Sequence, residues 1–504
     1  MVAFGQNAQV SGLIRDPMHA AVPRASVTFE NLATHEKTQT TSNGEGIYAL
    51  PSLPPGHYDL TVEAPGFEIQ RIHDFTASVA AKASLDITLK VGGDTQSVSV
   101  DAGSAQMNTV DASVSTVIDH KFVENLPLNG RSFQSLLTLV PGVISVPSSG
   151  SGVSGQIAVN GMRSESNYFL IDGVSANTGV NNTSPGRGAG YSGSLPSSTA
   201  LGTTQSLISI DALEEFRGTT STYSAENGRV PGGQFSFRTR SGTSDFHGTV
   251  YDYFRNDAMD ANSYFNNRNK IGRVKMRQND FGGTFGGPIL LPGLLHRRDR
   301  SFFFYSYEGL RLSAPQEATT TYVPTPELIA EAPSVLHPIL NAFPKPNAGS
   351  LAAAGKLTSY TASYSQPSRI DAHSLRLDHA LTDGWRIFGR FAYTPSSTRA
   401  RYSSNLAQVN DTAVNSKTLT LGSTNMFSPL LTNELRFNLS WNDQITSSFM
   451  DTFGGATPMK ITDLAGLSAK DWALFAYRPS VSAGFWLNPQ NNRQKQYNAV
   501  DTLT

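Results

Sequence analysis

The sequence contains no cysteine, so disulfide bonds, thiolate metal sites and cysteine nucleophiles are excluded. Charged side chains are also scarce: they make up 16% of the 504 residues, against about 25% in typical soluble proteins. Lysine and arginine together number 39, aspartate and glutamate 40, and the formal net charge is −1. Without a basic excess to neutralise phosphates, we expect no nucleic-acid partner.

Long hydrophobic runs are missing as well. No apolar stretch approaches the about 20 residues that a membrane helix needs, and the mean hydropathy is −0.25. This argues against a helical membrane protein, but it leaves open membrane-spanning strands, which are short and alternate in polarity. Aromatic residues, in contrast, reach 10%. The length of the chain suggests about three domains.

The two ends of the sequence lack the usual signals. Residues 1–6 contain neither the charged region nor the apolar core of a signal peptide. Two interpretations remain: a cytoplasmic protein, or a chain trimmed near a cleavage site around residues 3–6. Residues 498–504 show no closing strand. We expect both ends to be cut.

Residues 8–90 alternate apolar and polar side chains between frequent turns. Asn43-Gly44 predicts a tight hairpin because both residues tolerate positive φ, and Pro54-Pro55-Gly56 marks another turn. The pattern predicts a β-sandwich of about seven strands. The segment resembles the carboxypeptidase regulatory-like domain, which has a prealbumin-like fold grouped with carbohydrate-binding-like modules, through Val10-Ser11-Gly12, Val22-Pro23, Val27-Thr28-Phe29, Gly46-Ile47-Tyr48, Leu53-Pro54-Pro55-Gly56-His57-Tyr58 and Gly66-Phe67. An accessory spacer and a sugar-binding module both remain open.

Residues 91–110 form a linker with little side-chain mass to bury. It is either a plain interdomain connection or a docking strand. Asp94-Thr95-Gln96-Ser97-Val98-Ser99-Val100 resembles the TonB box, an extended motif that pairs with the sheet edge of a partner, although Val100 replaces the usual alanine. The resemblance implies a TonB-type energy-transducing protein as partner, with Asp94, Thr95, Val98 and Val100 as candidate contacts.

The sequence pattern of residues 111–240 predicts a compact α+β unit. A strand at 113–118 precedes a helix with Phe133, Leu136, Leu137 and Val140 at helical spacing. Several motifs follow in order: Leu126-Pro127-Leu128-Asn129-Gly130-Arg131, Pro141-Gly142-Val143, Asn160-Gly161-Met162-Arg163, Leu170-Ile171-Asp172-Gly173, Glu215-Phe216 and Gly228-Arg229. As a set they resemble the plug domain of TonB-dependent outer-membrane receptors of the Oar-like type. The resemblance implies structural or gating ion pairs at Arg131, Arg163, Asp172, Glu215 and Arg229.

Residues 245–504 alternate in polarity along several segments. The clearest is 433–441, where Leu435, Phe437, Leu439 and Trp441 share one face and Glu434, Arg436, Asn438 and Ser440 the other. Alternation alone fits both a lipid-exposed barrel wall and a soluble sandwich. The connections favour the barrel, because long links, such as 314–368 and 395–415, alternate with tight turns near 383 and 429. About seven or eight strands fit, whereas plugged transporters have about 22, so we expect an incomplete barrel.

Catalytic motifs are absent: the sequence has no His-Glu-x-x-His, no Gly-x-Ser-x-Gly and no phosphate-binding loop. We expect no enzyme, no cofactor and no metal. The predicted fold class is mainly β, with a sandwich, an α+β plug and the first strands of an antiparallel transmembrane β-barrel.

The predicted function is that of a TonB-dependent outer-membrane receptor or transporter that admits its ligand by an energised rearrangement of the plug. Its N-terminal domain would lie in the periplasm. Its partners would be a TonB-type protein, outer-membrane lipid and an extracellular ligand, for which siderophore, oligosaccharide and peptide remain open. The alternatives are a cell-surface adhesin or carbohydrate-binding scaffold without transport, and a secreted enzyme.

Overall fold

The computed structural model describes residues 7–92, 97–101, 114–124, 134–146, 157–178, 195–223, 230–268, 270–273, 275–290, 300–347, 351–428, 431–464, 466–468, 471–479 and 481–504. Strands dominate this part of the chain, as the sequence predicts. No helix in it combines the length and apolarity that crossing a bilayer demands.

The N-terminal segment folds into two sheets that enclose an apolar core. One sheet has the order β4-β1-β7 with β8 beside β1, and the other has the order β3-β2-β5-β6-β9. The core contains Phe29, Tyr48, Leu60 and Phe75, all almost fully buried. The strands are β1 Ala8–Arg15, β2 Ser26–Asn31, β3 Lys37–Thr41, β4 Ile47–Leu53, β5 Gly56–Glu63, β6 Ile69–Ala77, β7 Lys82–Ser84, β8 Ile87–Thr88 and β9 Ser97–Asp101. The strands β1 to β8 form the predicted sandwich.

The next segment builds a five-stranded sheet of order β10-β15-β16-β13-β14 and a two-stranded sheet of β11 and β12. Phe169, Phe216, Phe235 and Phe237 pack at its centre. Its elements are β10 Val114–Asp119, α1 His120–Glu124, α2 Gln134–Leu137, β11 Val143–Ser145, β12 Ile157–Val159, β13 Tyr168–Ile171, β14 Val174–Ser175, β15 Leu213–Ser221 and β16 Gln234–Thr239, with short 3₁₀ turns at Ser164–Ser166, Thr204–Ser206 and Ile210–Ala212. Of the helix predicted from Phe133 to Val140, Gln134–Leu137 is helical and residues 138–140 are not, while Phe133 lies outside the described residues.

The C-terminal half forms one antiparallel sheet of order β17-β18-β19-β21-β22-β23-β24-β27, with β20 beside β21. Within the described residues β17 and β27 do not pair with each other, so the sheet stays open. The strands are β17 His247–Asn256, β18 Arg277–Pro288, β19 Ser301–Pro324, β20 Ala352–Ala353, β21 Leu357–Thr382, β22 Trp385–Tyr402, β23 Asn405–Ser428, β24 Leu431–Met450 and β27 Gln490–Leu503.

The burial of side chains in this large sheet is the reverse of that in a soluble protein. On β24, Arg436 is 6% exposed while the neighbouring Phe437 is 39% exposed. The same inversion holds on β22, where Arg390 is buried and Phe391 is exposed. Apolar side chains that face outward and charges that face inward are what a wall between lipid and a polar lumen requires.

Two connections differ from the sequence-based expectation. The link predicted over residues 395–415 is a two-residue turn at 403–404, because β22 and β23 continue as a long hairpin. The predicted loop over 314–368 is shortened in the same way by β19 and β21, which pair as far as Pro324 and Leu357.

The ends of these long strands share a third apolar cluster with the connections between them. It contains Phe343, Tyr360, Leu406 and Phe485. The remaining elements are α3 Tyr264–Arg268, α4 Pro326–Glu331, α5 His337–Leu340, β25 Ala473–Tyr477 and β26 Ala483–Leu487, with 3₁₀ turns at Asp257–Met259, Ser334–Leu336, Phe453–Gly455 and Ile461–Asp463. This rim of the sheet therefore has a folded core of its own, which the long links predicted from the sequence did not indicate.

Candidate functional site: the contacts of the plug

A two-residue turn carries the most buried charge among the described residues of the plug. Asp172 and Gly173 join β13 to β14, and both have positive φ, 49° and 84°. An Asp-Gly pair suits this type of hairpin turn, because aspartate tolerates and glycine prefers the left-handed region. The turn thus places a carboxylate at the tip of the hairpin.

The carboxylate of Asp172 meets two arginines of the barrel wall. One oxygen lies 3.1 Å from Nη1 of Arg376 on β21, and the other lies 3.1 Å from Nε of Arg390 on β22. These two arginines are directly opposite each other in the sheet. All three side chains are almost fully buried. These buried charges join the plug to the wall, and Asp378 is a further partner of Arg376, 2.8 Å from its Nη2.

The plug also positions this carboxylate from its own side. Thr239, at the end of β16, donates its backbone N–H to Asp172 at 3.0 Å and its hydroxyl at 2.9 Å. Burial by itself raises the pKa of Asp172, but Arg376, Arg390 and Thr239 outweigh it and hold the pKa below its usual value. Asp172 is consequently an anion at neutral pH.

Polar contacts continue along the wall away from this cluster. Asn442 on β24 donates its side-chain amide to the carbonyl oxygen of Thr178 at 2.6 Å. Ser197 lies 3.0 Å from the hydroxyl of Ser416, and the backbone N–H of Ala200 donates to the hydroxyl of Ser396 at 2.9 Å. These are neutral hydrogen bonds, which makes them easier to exchange for water than the ion pairs of Asp172.

The second buried carboxylate of the plug faces the sandwich. Glu215 on β15 accepts a hydrogen bond from the backbone N–H of Val79, two residues beyond the end of β6. Burial raises the pKa of Glu215 to about 7, and the opposing effects of nearby Arg238 and the Val79 N–H are smaller. Close to this contact, a cavity of about 730 Å³ separates sandwich and plug, lined by residues that include His57, Ile118, Phe122 and Glu215.

The sandwich also contacts the rim of the sheet. Glu434, near the start of β24, accepts hydrogen bonds from Ser52 at 2.7 Å and from Asn7 at 2.8 Å. Glu36 pairs with Arg386, near the start of β22. Arg386 and Glu434 adjoin the tight turns of the wall, so the sandwich lies at the short-turn rim, which faces the periplasm in outer-membrane barrels.

The described part of the predicted docking strand lies at the end of a sheet of the sandwich. Ser97–Asp101 forms β9 and pairs in parallel with β6, Val98 opposite Gln70 and Val100 opposite Ile72. Asp94 and Thr95 lie outside the described residues.

The predicted plug residues have different outcomes. Asp172 and Glu215 are buried at the two contacts described above, whereas Arg163 is exposed. Arg131 and Arg229 lie outside the described residues.

Sequence reasoning missed Arg376 and Arg390 as partners of Asp172. Their place on the inward face of alternating strands was the available signal, but nothing in the sequence pairs them with a turn about 200 residues away. Within the described ranges, no group of three or more histidine, aspartate and glutamate side chains is arranged to hold a metal ion.

An open sheet with an inward polar face, joined by buried charges to a separate α+β domain, defines a plug-and-barrel protein of the outer membrane. Comparison with known families agrees. The outer membrane beta barrel domain matches residues 238–331 and 329–504, the TonB-dependent receptor plug domain matches residues 106–200, and the carboxypeptidase regulatory-like domain matches residues 9–90. The chain belongs to the TonB-dependent receptors that carry an N-terminal carboxypeptidase regulatory-like domain, a family of the outer membrane whose N-terminal domain is periplasmic.

Individual relatives are more distant. The TonB-dependent transporter Oar of Myxococcus xanthus is 26% identical over 331 residues, which cover 60% of this chain and 27% of the relative. The chain thus spans about a quarter of the length of that protein. Among solved structures, the outer membrane transporter YddB of Escherichia coli is 14% identical over 66% of this chain and 39% of its own, with a TM-score of 0.46. The siderophore receptor PirA of Acinetobacter baumannii is 13% identical over 79% of this chain and 55% of its own, with a TM-score of 0.36.

Proposed function

We propose that this chain belongs to a transporter that binds a ligand at the long-loop side of the wall and admits it when its plug is rearranged by an energised partner. The ion pairs of Asp172 with Arg376 and Arg390 are the observation that carries the proposal, because they bring buried charges of the plug and of the wall together in one cluster. A contact concentrated in this way can be broken as a unit, as a gate requires.

The proposed partners follow from the two sides of the wall. On the periplasmic side, a TonB-type protein would engage the segment from Asp94 to Val100. On the outer side, the ligand is a siderophore, an oligosaccharide or a peptide, and the wall itself is in contact with outer-membrane lipid. Members of this family are transporters, and we propose no catalytic activity for this chain.

The alternative of an adhesin or carbohydrate-binding scaffold gains no support from the position of the sandwich. The contacts of Ser52 with Glu434 and of Glu36 with Arg386 attach it to the short-turn rim. A domain at that rim faces the periplasm and cannot reach a surface outside the cell.

Labelling of a single cysteine tests the proposed plug rearrangement. Ser197→Cys places a thiol between plug and wall in a chain that has no other cysteine. In cells expressing the receptor, we expect a membrane-impermeant maleimide added from outside to label it faster when the proton gradient is intact than after a protonophore, and deletion of residues 94–100 should remove the difference.

The matched control is Val335→Cys, an exposed position on the outer connections. It should label at the same rate in both conditions. Labelling of Ser197→Cys that responds to neither the protonophore nor the deletion contradicts the proposed function.

A further inference from the structure

Carboxamide and hydroxyl side chains dominate the inward face of β23, β24 and β27 between the ion pairs of Asp172 and the long-loop rim. On β24 the inward residues from Ser440 to Ser448 are all serine, threonine, asparagine or glutamine. Directly paired residues share one face of a sheet, and the partners of Asn442 have the same character, Ser416 on β23 and Gln494 on β27. We call this part of the wall the amide–hydroxyl surface.

Hydrogen bonds order the side chains of this surface. The hydroxyls of Thr412 and Thr446 lie 3.1 Å apart, and Ser448 donates to the carboxamide oxygen of Asn410 at 2.7 Å. Carboxamides and hydroxyls both donate and accept. Each can therefore exchange a bond within the surface for a bond to a ligand group that also donates and accepts.

Gln444 lies in the middle of the amide–hydroxyl surface and is 1% exposed. In the part of the chain that the structure describes, neither its Oε1 nor its Nε2 has a hydrogen-bond partner. Leaving a buried carboxamide unpaired costs free energy. A ligand that reaches this position with a hydroxyl group removes that cost, because the hydroxyl can bond to either atom.

An indole ring is exposed on the connection between β24 and β27, at the long-loop rim. Trp472 is 62% exposed, although tryptophan side chains are on average highly buried. Its ring centre lies 6.4 Å from that of Trp486 on β26. Gln408 on β23 accepts from the backbone N–H of Trp486 at 2.9 Å and donates to its carbonyl oxygen at 2.6 Å. The exposed ring therefore has a neighbour that is fixed to the wall.

From the exposed ring and the amide–hydroxyl surface we infer that the transported ligand is a neutral oligosaccharide. The inference rests on the proposed function and selects one of the three ligand classes given there. A sugar ring has a face of C–H groups that packs on an aromatic ring, and hydroxyl groups at its edge that donate and accept. Trp472 holds a sugar ring at the rim, and Gln444 and its neighbours bind sugar hydroxyls after the plug has moved.

The two other ligand classes match these residues less well. A catecholate siderophore is an anion, and anions are held best by fixed cations. The inward-facing Arg376, Arg390 and Arg436 lie nearer the short-turn rim, where they pair with carboxylates. A peptide has donors and acceptors along its backbone, but its ends are charged, and a charge that leaves water for uncharged partners loses hydration energy.

Binding of chemically matched probes to the purified receptor tests the ligand class. The probes are neutral hexasaccharides of glucose, xylose, mannose and N-acetylglucosamine, the anionic hexagalacturonate, a ferric catecholate complex and a hexapeptide, each titrated by calorimetry. We expect a neutral hexasaccharide to bind with a Kd of about 100 μM or below, and hexagalacturonate to bind at least about tenfold more weakly. Trp472→Ala should weaken sugar binding about tenfold, whereas Leu474→Ala, an exposed apolar residue on β25, should change it less than about twofold.

Uptake of the fluorescently labelled hexasaccharide by cells tests the inner surface. Gln444→Leu keeps the approximate size of the side chain but removes its donor and acceptor, so uptake should fall about tenfold, while the thermal stability of the receptor stays level or rises. The control is Ile445→Leu on the lipid-facing side of the same strand, which should leave uptake unchanged.

Several results would overturn the inference. They are the absence of binding by every neutral hexasaccharide, equal binding of hexagalacturonate, tighter binding of the catecholate complex or the hexapeptide, and equal uptake by Gln444→Leu and Ile445→Leu. The labelling of Ser197→Cys does not depend on the ligand, so a response to the proton gradient would then leave the proposed function standing. Sugar binding that Trp472→Ala weakens, in a receptor whose labelling ignores the gradient, would support the ligand class and contradict the proposed transport.

Discussion

In the described part of the plug two carboxylates are buried, one at the boundary with the wall and one at the boundary with the sandwich, and their surroundings differ. Asp172 faces the barrel wall and meets two arginines, which hold its pKa below the usual value. Glu215 faces the sandwich and meets a backbone N–H, and burial raises its pKa to about 7. One boundary is therefore held by charge, whereas the other can exist without charge.

This difference predicts how strongly the plug resists separation from the wall and from the sandwich. Removing one partner from a buried ion pair leaves an uncompensated charge and is costly. A neutral carboxyl group that loses a single hydrogen bond is much less costly to separate. We expect the sandwich to leave the plug more easily than the plug leaves the wall, and the following experiments test that order.

The largest effect should come from Asp172→Asn. The amide keeps the shape of the side chain but leaves Arg390 buried without its anion, whereas Arg376 keeps Asp378 as a partner. We expect the plug to lose about 3–5 kcal/mol of its stability against the wall. Hydrogen exchange of β13 and β16 in detergent micelles measures this, because these strands adjoin the turn.

The matched control is Glu214→Gln, which removes a half-exposed carboxylate of the same domain that lies 3.8 Å from Arg240. Exposed pairs of this kind contribute about 0–1 kcal/mol. Equal effects of Asp172→Asn and Glu214→Gln would contradict the assignment of Asp172 as the main contact.

The next effect is a pH dependence of the contact between sandwich and plug. The pKa of Glu215 is about 7 when docked, against an ordinary value of 4.5. If undocking returns Glu215 to water, then as the pH rises Glu215 loses its proton in the undocked state at a lower pH than in the docked state. Docking should therefore be strongest below about pH 4.5, weaken up to about pH 7 by at most about 3 kcal/mol, and stay level above it. Exchange of the Val79 amide as a function of pH reports the change.

Glu215→Gln provides the control for this titration. Its amide carbonyl can still accept from Val79 but does not ionise in this range, so docking should become independent of pH between 4.5 and 7. A slope that persists unchanged in this variant would assign the titration to another group.

A smaller effect is expected at the rim. Ser52→Ala removes one of the two hydrogen bonds that the sandwich donates to Glu434, while Asn7 keeps the other. The expected loss is about 1–2 kcal/mol in the docking of the sandwich to the wall, since the acceptor is charged. Proteolysis at the boundary between the sandwich and the plug measures it, and Ser26→Ala, on another strand of the sandwich, serves as control.

The smallest effect should come from Glu36→Gln. Its partner Arg386 is partly exposed and also donates to the hydroxyl of Thr38 at 3.0 Å. Solvent screens the pair, so the change should cost under about 1 kcal/mol and shrink further at high salt. An effect of Glu36→Gln larger than that of Asp172→Asn would reverse the order proposed for the boundaries.

Much of the fold could be predicted because the hydrophobic pattern is strict where lipid demands it. On β24, Leu435 and Phe437 face outward while Glu434 and Arg436 face inward, as the alternation indicates. Where a strand extends beyond the bilayer, its side chains need not alternate between apolar and polar. The threonine-rich part of β19 around residues 319–321 pairs with β21 without an apolar face, and the sequence therefore resembles a loop.

The last strand was missed for a related reason. Residues 490–503 are mostly polar and show no alternation, so the sequence predicts no strand. Pairing with β24 makes it one, with Asn498 opposite Asn438, and a row of side-chain amides links Gln494, Gln496 and Asn498. Backbone pairing with an existing edge, which a single sequence cannot reveal, decides the structure here.

The candidate site was only half predictable. Asp172 and Glu215 belong to motifs that resemble the plug family, whereas their partners Arg390 and Val79 lie far away in sequence. A buried charge implies a partner but does not name it.

The pairing of Arg376 with Arg390 across two neighbouring strands has a consequence for the state in which the plug has moved. With Asp172 withdrawn, two guanidinium groups would stand side by side on the lumen surface, with Arg436 next to the same Phe388 ring that Arg376 covers. Asp378 and Glu434 would still pair with Arg376 and Arg436, so Arg390 would be the guanidinium left without the anion that it meets in this structure.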